Sequence, residues 1–326
     1  MKAILVKEPG DASQLTMGEA PDPQPGPGEL LVKVAYTALN RADIVQREGN
    51  YPPPEGASPI LGLEIAGEVI ATGPEVTRHA EGDKVFGLVP GGGYAEKAVI
   101  HEDMAIALPS HLGLQEAAAV PEVFLTAYQA LVWIGHAQQG ETVLVHAGAS
   151  GVGTAATQLA RSMDMNILVT ASARKHELCR SLGATACYDY HKGPFTDFVK
   201  EHTEGKGADI IIDFIGAPYF SHNLDSLARD GRLVMLAFLG GVKANEVNLR
   251  RMLAKRLTIA GSTLRSRDQD YQIRLNMEMT AYLLPLLEQG EIKPVVDSTF
   301  SWRDVADAHR YMEDNRNQGK IILAVD

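Results

Sequence analysis

The sequence predicts an α/β protein in which a doubly wound parallel sheet is inserted into a split, β-rich domain. Three observations predict it. Short strand-like runs, punctuated by glycine and proline, fill the chain to about residue 120. Strand candidates then alternate with helical segments, the rhythm of a parallel sheet covered on both faces. A last apolar run, "GKIILAV", needs a sheet to join, and the first β-rich part is the available one. At 326 residues the chain exceeds what one hydrophobic core usually holds. The expected boundaries are residues 1–121, 122–264 and 265–326, the first and last forming one domain.

The opening "MKAILVKEPG" reads as a strand, being too short and too quickly charged for a secretory signal. "APDPQPGPGE" is a turn closely flanked by apolar segments. "LLVKVAYTAL", "EIAGEVIATG", "GDKVFGLV" and "GGGYAEKAVI" follow as strands, too close together for βαβ crossovers. After about residue 122, strands are expected at Val143–His146, Ile167–Ala171, Thr185–Tyr188, Asp209–Phe214, Arg232–Phe238 and Leu257–Gly261. Between them lie helical patterns such as "GVGTAATQLARSM", "RKHELCRSL" and "FSHNLDSLARD". "IIIDFIG" and "RLVMLAF" are almost continuously apolar, as strands buried on both faces should be. From Arg265 come a long helical pattern, a short strand, the helix "SWRDVADAHRYMED" and the final strand.

Composition excludes several classes. Hydrophobic residues are 45% and charged ones 22%, ordinary for a soluble globular protein, and no run of 18 apolar residues would span a membrane. A formal charge of −11 opposes a phosphate backbone, so nucleic acid is not an expected partner. Two cysteines, Cys179 and Cys187, cannot supply a disulfide framework and suit a reducing cytoplasm.

The stretch "ETVLVHAGASGVGTAATQLARSM" places a glycine-rich loop between a strand and a helix, where backbone N–H groups can hold a pyrophosphate. Gly148 and Gly153 fit the dinucleotide fingerprint, but Ser150 takes the middle place and Gly151 follows it. The Ser150 hydroxyl could donate to a phosphate oxygen. A tight turn with close packing is the other reading of such a loop. An NAD site places an acid about 20 residues further on. Here "VTASARKHE" offers Ser172, Arg174 and Lys175 in that turn and no carboxylate. A carboxylate beside a 2′-phosphate would cost up to ~4 kcal/mol per charge pair, so the turn favours NADPH. Arg174 and Lys175 could instead simply solvate the start of a helix.

"ALNRAD", "LGLEIAGEV", "LPSHLGLQEAAAVPEVFLTAYQAL", "HAGASGVGTAATQLA", "LARDGRLVMLAFLGG" and "LRSRD" together resemble the zinc-independent quinone oxidoreductases. These belong to the medium-chain dehydrogenase/reductase superfamily, and the tumour-suppressor-inducible type is the most similar. The likeness covers essentially the whole chain. It implies a Rossmann nucleotide-binding domain inserted in a GroES-like catalytic domain.

The resemblance also implies the site. Zinc-dependent relatives carry a cysteine where Asn40 stands and a histidine where Leu63 stands. With no thiolate or imidazole there, and both cysteines in the nucleotide-binding part, no metal is expected. The likeness assigns Ala149, Ser150, Gly151 and Val152 to the pyrophosphate. Ala171, Ser172 and Lys175 fall to the adenosine ribose and 2′-phosphate, with Tyr190 stacked nearby. Phe238, Leu239, Gly240, Thr263, Leu264, Arg265 and Asn317 fall to the nicotinamide side. Three of these have plainer readings: Phe238 as core, Asn317 as a turn residue, Arg265 as a surface charge. Asn40 and Tyr51 are the candidates for the substrate cleft. Tyr51 precedes three prolines, so its phenol either donates to a quinone oxygen or packs on the proline loop. Val45 stands where relatives have a second tyrosine.

The implied activity is NADPH-dependent reduction of a small quinone or conjugated carbonyl, the cofactor doing the chemistry. A 2-enoyl reductase on the same scaffold is a second reading. An NADPH-binding sensor or structural protein with incidental turnover is a third. The likeness further implies a homodimer formed through an edge strand of the nucleotide sheet, while the cysteine count and the hydropathy point to the cytoplasm and off the membrane.

Overall fold

The computed structural model describes residues 1–245 and 247–326 and divides into two compact units. One joins Met1–Leu125 with Arg265–Asp326; the other is Thr126–Leu264. The chain opens with β1 (Lys2–Val6), β2 (Leu15–Glu19), β3 (Glu29–Ala38), α1 (Arg41–Arg47), β4 (Glu64–Thr72) and β5 (Lys84–Leu88). Next come β6 (Lys97–His101), β7 (Ala105–Ala107), α2 (Leu114–Ala117) and α3 (Pro121–Tyr128). The alternating part follows as β8 (Thr142–Val145), α4 (Gly151–Ser162), β9 (Asn166–Ala171), α5 (His176–Ser181), β10 (Ala186–Asp189) and α6 (Thr196–His202). It continues through β11 (Ala208–Asp213), α7 (Ala217–Ser226), β12 (Leu227–Met235), α8 (Arg250–Lys255) and β13 (Thr258–Gly261). The tail is α9 (Gln269–Glu288), β14 (Val296–Ser301), α10 (Val305–Glu313) and β15 (Lys320–Ala324).

In the split unit, β15 pairs antiparallel with β3 and parallel with β14, so the last strand does return to the first β-rich segment. The sheet runs β14-β15-β3-β4-β5-β7, with β6 also on β3. Trp302, Tyr94, Ile4, Leu39, Leu61 and Ile321 form its buried core on one side. Two short helices, α1 and α2, interrupt what the sequence presents as an all-β segment. The sequence hides α1 because Asn40 and Asp43 are its only start signal: the Asp43 carboxylate accepts from the Asn40 N–H at 2.8 Å.

The other unit holds a six-stranded parallel sheet in the order β10-β9-β8-β11-β12-β13. Its strand order reverses between β8 and β11, which makes the carboxyl ends of those strands the place for a ligand. β12 and the helix before it differ from the sequence expectation, the strand ending at Met235 and not at Phe238. The helix around "FSHNLDSLARD" starts earlier and stops at Ser226, and Leu227–Asp230 enter β12. Leu227 is taken by pairing to Ala208, and Asp230 at φ 62° bends the strand before Arg232 pairs with Ile210. Tertiary pairing overrides the helical propensity of Leu, Ala and Arg there. No described helix is long and apolar enough to cross a membrane.

Candidate active site

The glycine loop lies at the carboxyl end of β8. A Cβ at Gly148 would stand 2.1 Å from a Val169 methyl, and one at Gly153 would meet the Ala147 carbonyl at 2.5 Å. Both glycines therefore serve the tight turn and the close approach of α4 to the sheet. Ser150 is the N-cap of α4: its Oγ accepts from the Gly153 N–H at 3.1 Å. That use of a lone pair leaves its hydroxyl proton available for a further acceptor. The amides of Gly151 and Val152 begin α4 and point out of its first turn, beyond the reach of any intrahelical carbonyl. With Ala149 buried behind them, these donors at a helix N-terminus fit a pyrophosphate.

At the end of β9 the buried Ala171 leads into Ser172 and Lys175, with Arg174 exposed. No carboxylate stands among Ser172–Lys175, the donor set a 2′-phosphate requires. Tyr190 is partly exposed and tilted on His191 at 4.2 Å between ring centroids, an aromatic surface on which an adenine could stack. Phe238 and Leu239 are 51% and 52% exposed, which rules out the plain-core reading of Phe238. The Phe238–Gly240 segment is fixed from behind: Leu239 N–H donates to the Phe214 carbonyl and Gly240 N–H to that of Ile215. Thr263 is exposed and Leu264 buried, and the Thr263 carbonyl accepts weakly from Gln129 at 3.5 Å.

In the split unit, Asn40 takes a different part from the one expected. Its amide nitrogen donates to Glu64 Oε1 at 2.8 Å and its oxygen accepts from Lys320 Nζ at 2.6 Å. Lys320 also donates to Glu64 at 2.7 Å, and Glu64 accepts the Glu122 N–H at 2.9 Å. With both polar atoms spent in this buried ionic cluster, Asn40 acts on the fold rather than on a substrate. A second buried chain adjoins it. Arg47 can only donate, so His309 Nδ1 accepts from it at 3.2 Å, and Nε2–H then faces the Tyr94 hydroxyl at 3.3 Å. Tyr94 in turn donates to Asp43. Burial pushes Asp43 up to about 6 against the opposing pull of the Asn40 and Gly62 amides. Burial, with Arg47 beside it, holds His309 down to about 3, so the ring is neutral. Sequence spacing gave no sign of either chain.

Arg265 is not the surface charge that sequence alone allowed. It is buried, its Nε donating to the Pro90 carbonyl at 2.8 Å and its Nη1 to Gln46 at 2.7 Å. Its guanidinium lies over the Tyr51 ring, 5.4 Å from the centroid. Nη2 is buried with no acceptor among the described residues, and a buried cationic N–H without one is costly. A Cβ at Gly91 would crowd this atom at 3.4 Å and strike the Ser58 carbonyl at 2.5 Å, so glycine keeps the space open. Tyr51 is half-buried on its proline loop, and burial raises its phenol, keeping it a protonated donor. Asn317 matches the turn reading: it is buried and donates to the Gly319 carbonyl at 2.8 Å.

A zinc ion does not fit these residues. Asn40 and Glu64 are committed to Lys320, and Leu63 presents buried hydrocarbon. Among the described residues no group of three or more His, Cys, Asp or Glu side chains could hold a metal.

Comparison with known proteins places this geometry. Residues 26–110 match the alcohol dehydrogenase GroES-like domain, and residues 182–323 match a family described as zinc-binding dehydrogenase. The human synaptic vesicle membrane protein VAT-1 homolog is 34% identical over 96% of this chain and 83% of its own length. A mycobacterial protein solved as a complex with NADPH superposes with a TM-score of 0.90 at 30% identity, covering all of both chains. A quinone oxidoreductase from Pseudomonas syringae pv. tomato gives 0.89 at 29% identity, covering 99% of each chain. The CurK enoyl reductase gives 0.89 at 26% identity, covering 100% of this chain and 99% of that one. With the parallel nucleotide sheet, the GroES-like unit and these likenesses in hand, the chain belongs to the medium-chain dehydrogenase/reductase superfamily and is an oxidoreductase of that class.

Proposed function

We propose that the chain is an NADPH-dependent reductase of small quinones and related conjugated carbonyls, working without a metal. The observation that carries the proposal is the turn after β9, where Ser172–Lys175 offers a hydroxyl and cations and no carboxylate. The NADPH complex of the mycobacterial neighbour and the quinone oxidoreductase neighbour support it.

When bound, the nicotinamide would supply a hydride. The chain's own residues bind, orient and stabilise. The α4 N-terminus holds the pyrophosphate, and Ser172 with Lys175 reads the 2′-phosphate. Arg265 contributes the unsatisfied Nη2–H and Tyr51 a neutral hydroxyl, two donors suited to an oxygen on which negative charge develops. A quinone accepts electrons readily, so positioning with Arg265 as donor suffices and the Tyr51 hydroxyl is in reserve, whereas alcohol oxidation needs a base or metal. The tumour-suppressor-inducible type remains the finer assignment within this proposal. Self-association through an edge strand of the nucleotide sheet, whose outer strands are β10 and β13, belongs to it too.

The CurK likeness favours a second reading, reduction of an enoyl thioester. Titration with NADPH and NADH, followed by turnover with quinones and enoyl thioesters, tests both. Tight NADPH binding with quinone turnover is the expected result. Preference for NADH, or turnover of enoyl thioesters alone, would remove the first reading.

A further inference from the structure

We infer that a buried chain of four side chains, Thr170–His146–Asn223–Asp213, is a positioning device that holds three cofactor turns of the nucleotide sheet in register. It rests on the NADPH reading above. All four residues are at most 1% exposed. Asn223 Nδ2 donates to Asp213 Oδ2 at 3.0 Å, which turns Asn223 Oδ1 toward His146 Nε2 at 2.8 Å. Nε2 must therefore carry the ring proton, and Nδ1 accepts from the Thr170 hydroxyl at 2.8 Å. Every hydrogen bond has one direction. Burial keeps the imidazole neutral, consistent with that assignment.

Three members of the chain each meet a different turn. His146 is the residue after β8, and the glycine loop begins from it. Thr170 is the penultimate residue of β9; its carbonyl accepts the Gly148 N–H at 3.1 Å, and the Ser172–Lys175 turn follows directly. Asp213 ends β11 and clamps the next turn, Oδ1 accepting the Ile215 N–H at 2.6 Å and Oδ2 the Gly216 N–H at 3.2 Å. That turn carries Phe238–Gly240 through the Phe214 and Ile215 carbonyls, at 3.0 and 2.8 Å. At Gly216, with φ 82°, a Cβ would strike the Phe238 ring at 2.7 Å, so the two segments are closely fitted. Phe195 and Tyr219 pack on the imidazole, with centroids 4.7 and 4.8 Å away, and leave it little freedom.

A dinucleotide spans all three turns, whereas either half taken without the pyrophosphate meets one. Turns held in register make the second and third contacts intramolecular, an advantage that only the whole molecule collects. Losing the chain should therefore weaken NADPH while sparing its halves. The test measures dissociation constants for NADPH, adenosine 2′-monophosphate and reduced nicotinamide riboside. The variants are Thr170→Val, Asn223→Leu and, as the conservative control, Thr170→Ser. The expected result for Thr170→Val is a tenfold or greater loss for NADPH, less than threefold for each half, and recovery in Thr170→Ser. Thr170→Val keeps the β-branched shape and so stays informative if Asn223→Leu fails to fold. Equal-fold losses for NADPH and either half, or no loss for NADPH, would overturn the inference while leaving the cofactor reading intact. Failure of the wild-type chain to bind NADPH would overturn both.

Discussion

Lys320 Nζ stands 2.7 Å from Glu64 Oε1, and both side chains are sealed from solvent. Asn40 and the Leu39 carbonyl complete the ammonium's partners. Removing one member of a buried pair strands the other's charge, a loss of about 3–5 kcal/mol. Lys320→Met should therefore lower urea-unfolding stability by about that much, and Lys320→Met with Glu64→Gln should recover part of it. A loss under about 1 kcal/mol in the single variant would show that the pair does not organise this unit.

Asp43 and His309 should give opposite slopes of stability against pH. With Asp43 raised to about 6 from 3.8, the folded state holds the extra proton, and stability falls as pH rises through that window. With His309 lowered to about 3 from 6.5, the unfolded state holds it, and stability rises between those values. Measured between pH 4 and pH 6, Asp43→Asn should make stability rise more steeply with pH than wild type does. His309→Gln should make it rise less, or fall. Parallel curves for all three proteins would refute the assignment.

Much of this fold was legible in the sequence, and the reason is period. The six strands of the nucleotide sheet are apolar runs that glycine and helical segments separate, so their order could be read locally. The start of β12 could not be, because "SLARD" favours helix and only the Leu227–Ala208 pairing decides otherwise. The glycine loop and the Ser172–Lys175 turn were visible because their chemistry is contiguous. Glu64 and Lys320 are 256 residues apart, and His146 and Asn223 are 77 apart, so no spacing rule joins them. Arg265 was reachable through family resemblance alone; its burial and its unsatisfied Nη2 came from the packing of Pro90, Gln46 and Tyr51.

Cys187 should alkylate before Cys179. A hydrogen bond from Cys179, with Arg180 nearby, lowers the Cys187 thiol, whereas Cys179 is raised by the same contact and by its burial. Thiolate fraction and access set the rate, so limited iodoacetamide followed by peptide mass analysis should find the label on Cys187. Equal labelling of the folded chain would contradict this.

The Tyr51 hydroxyl is a spare donor beside Arg265, and a quinone needs little help. Tyr51→Phe should raise KM modestly and leave kcat within a few-fold. If the hydroxyl instead carried the developing charge, kcat would fall by about 10²–10³. Steady-state kinetics of the single variant distinguishes the two.

Cofactor discrimination should reside in Lys175. NADPH should bind at least tenfold more tightly than NADH, an advantage of about 1.4 kcal/mol or more. Lys175→Ala should weaken NADPH far more than NADH in fluorescence titrations. Equal losses would show that Lys175 does not read the 2′-phosphate.

Metal-free quinone reduction is tested by following NADPH absorbance with the purified chain across a panel of ortho- and para-quinones, enoyl thioesters and primary alcohols, with and without a chelator. The expected result is quinone-dependent NADPH oxidation, little alcohol turnover and no change with chelator. Turnover confined to enoyl thioesters, or activity that disappears with the metal, would contradict it.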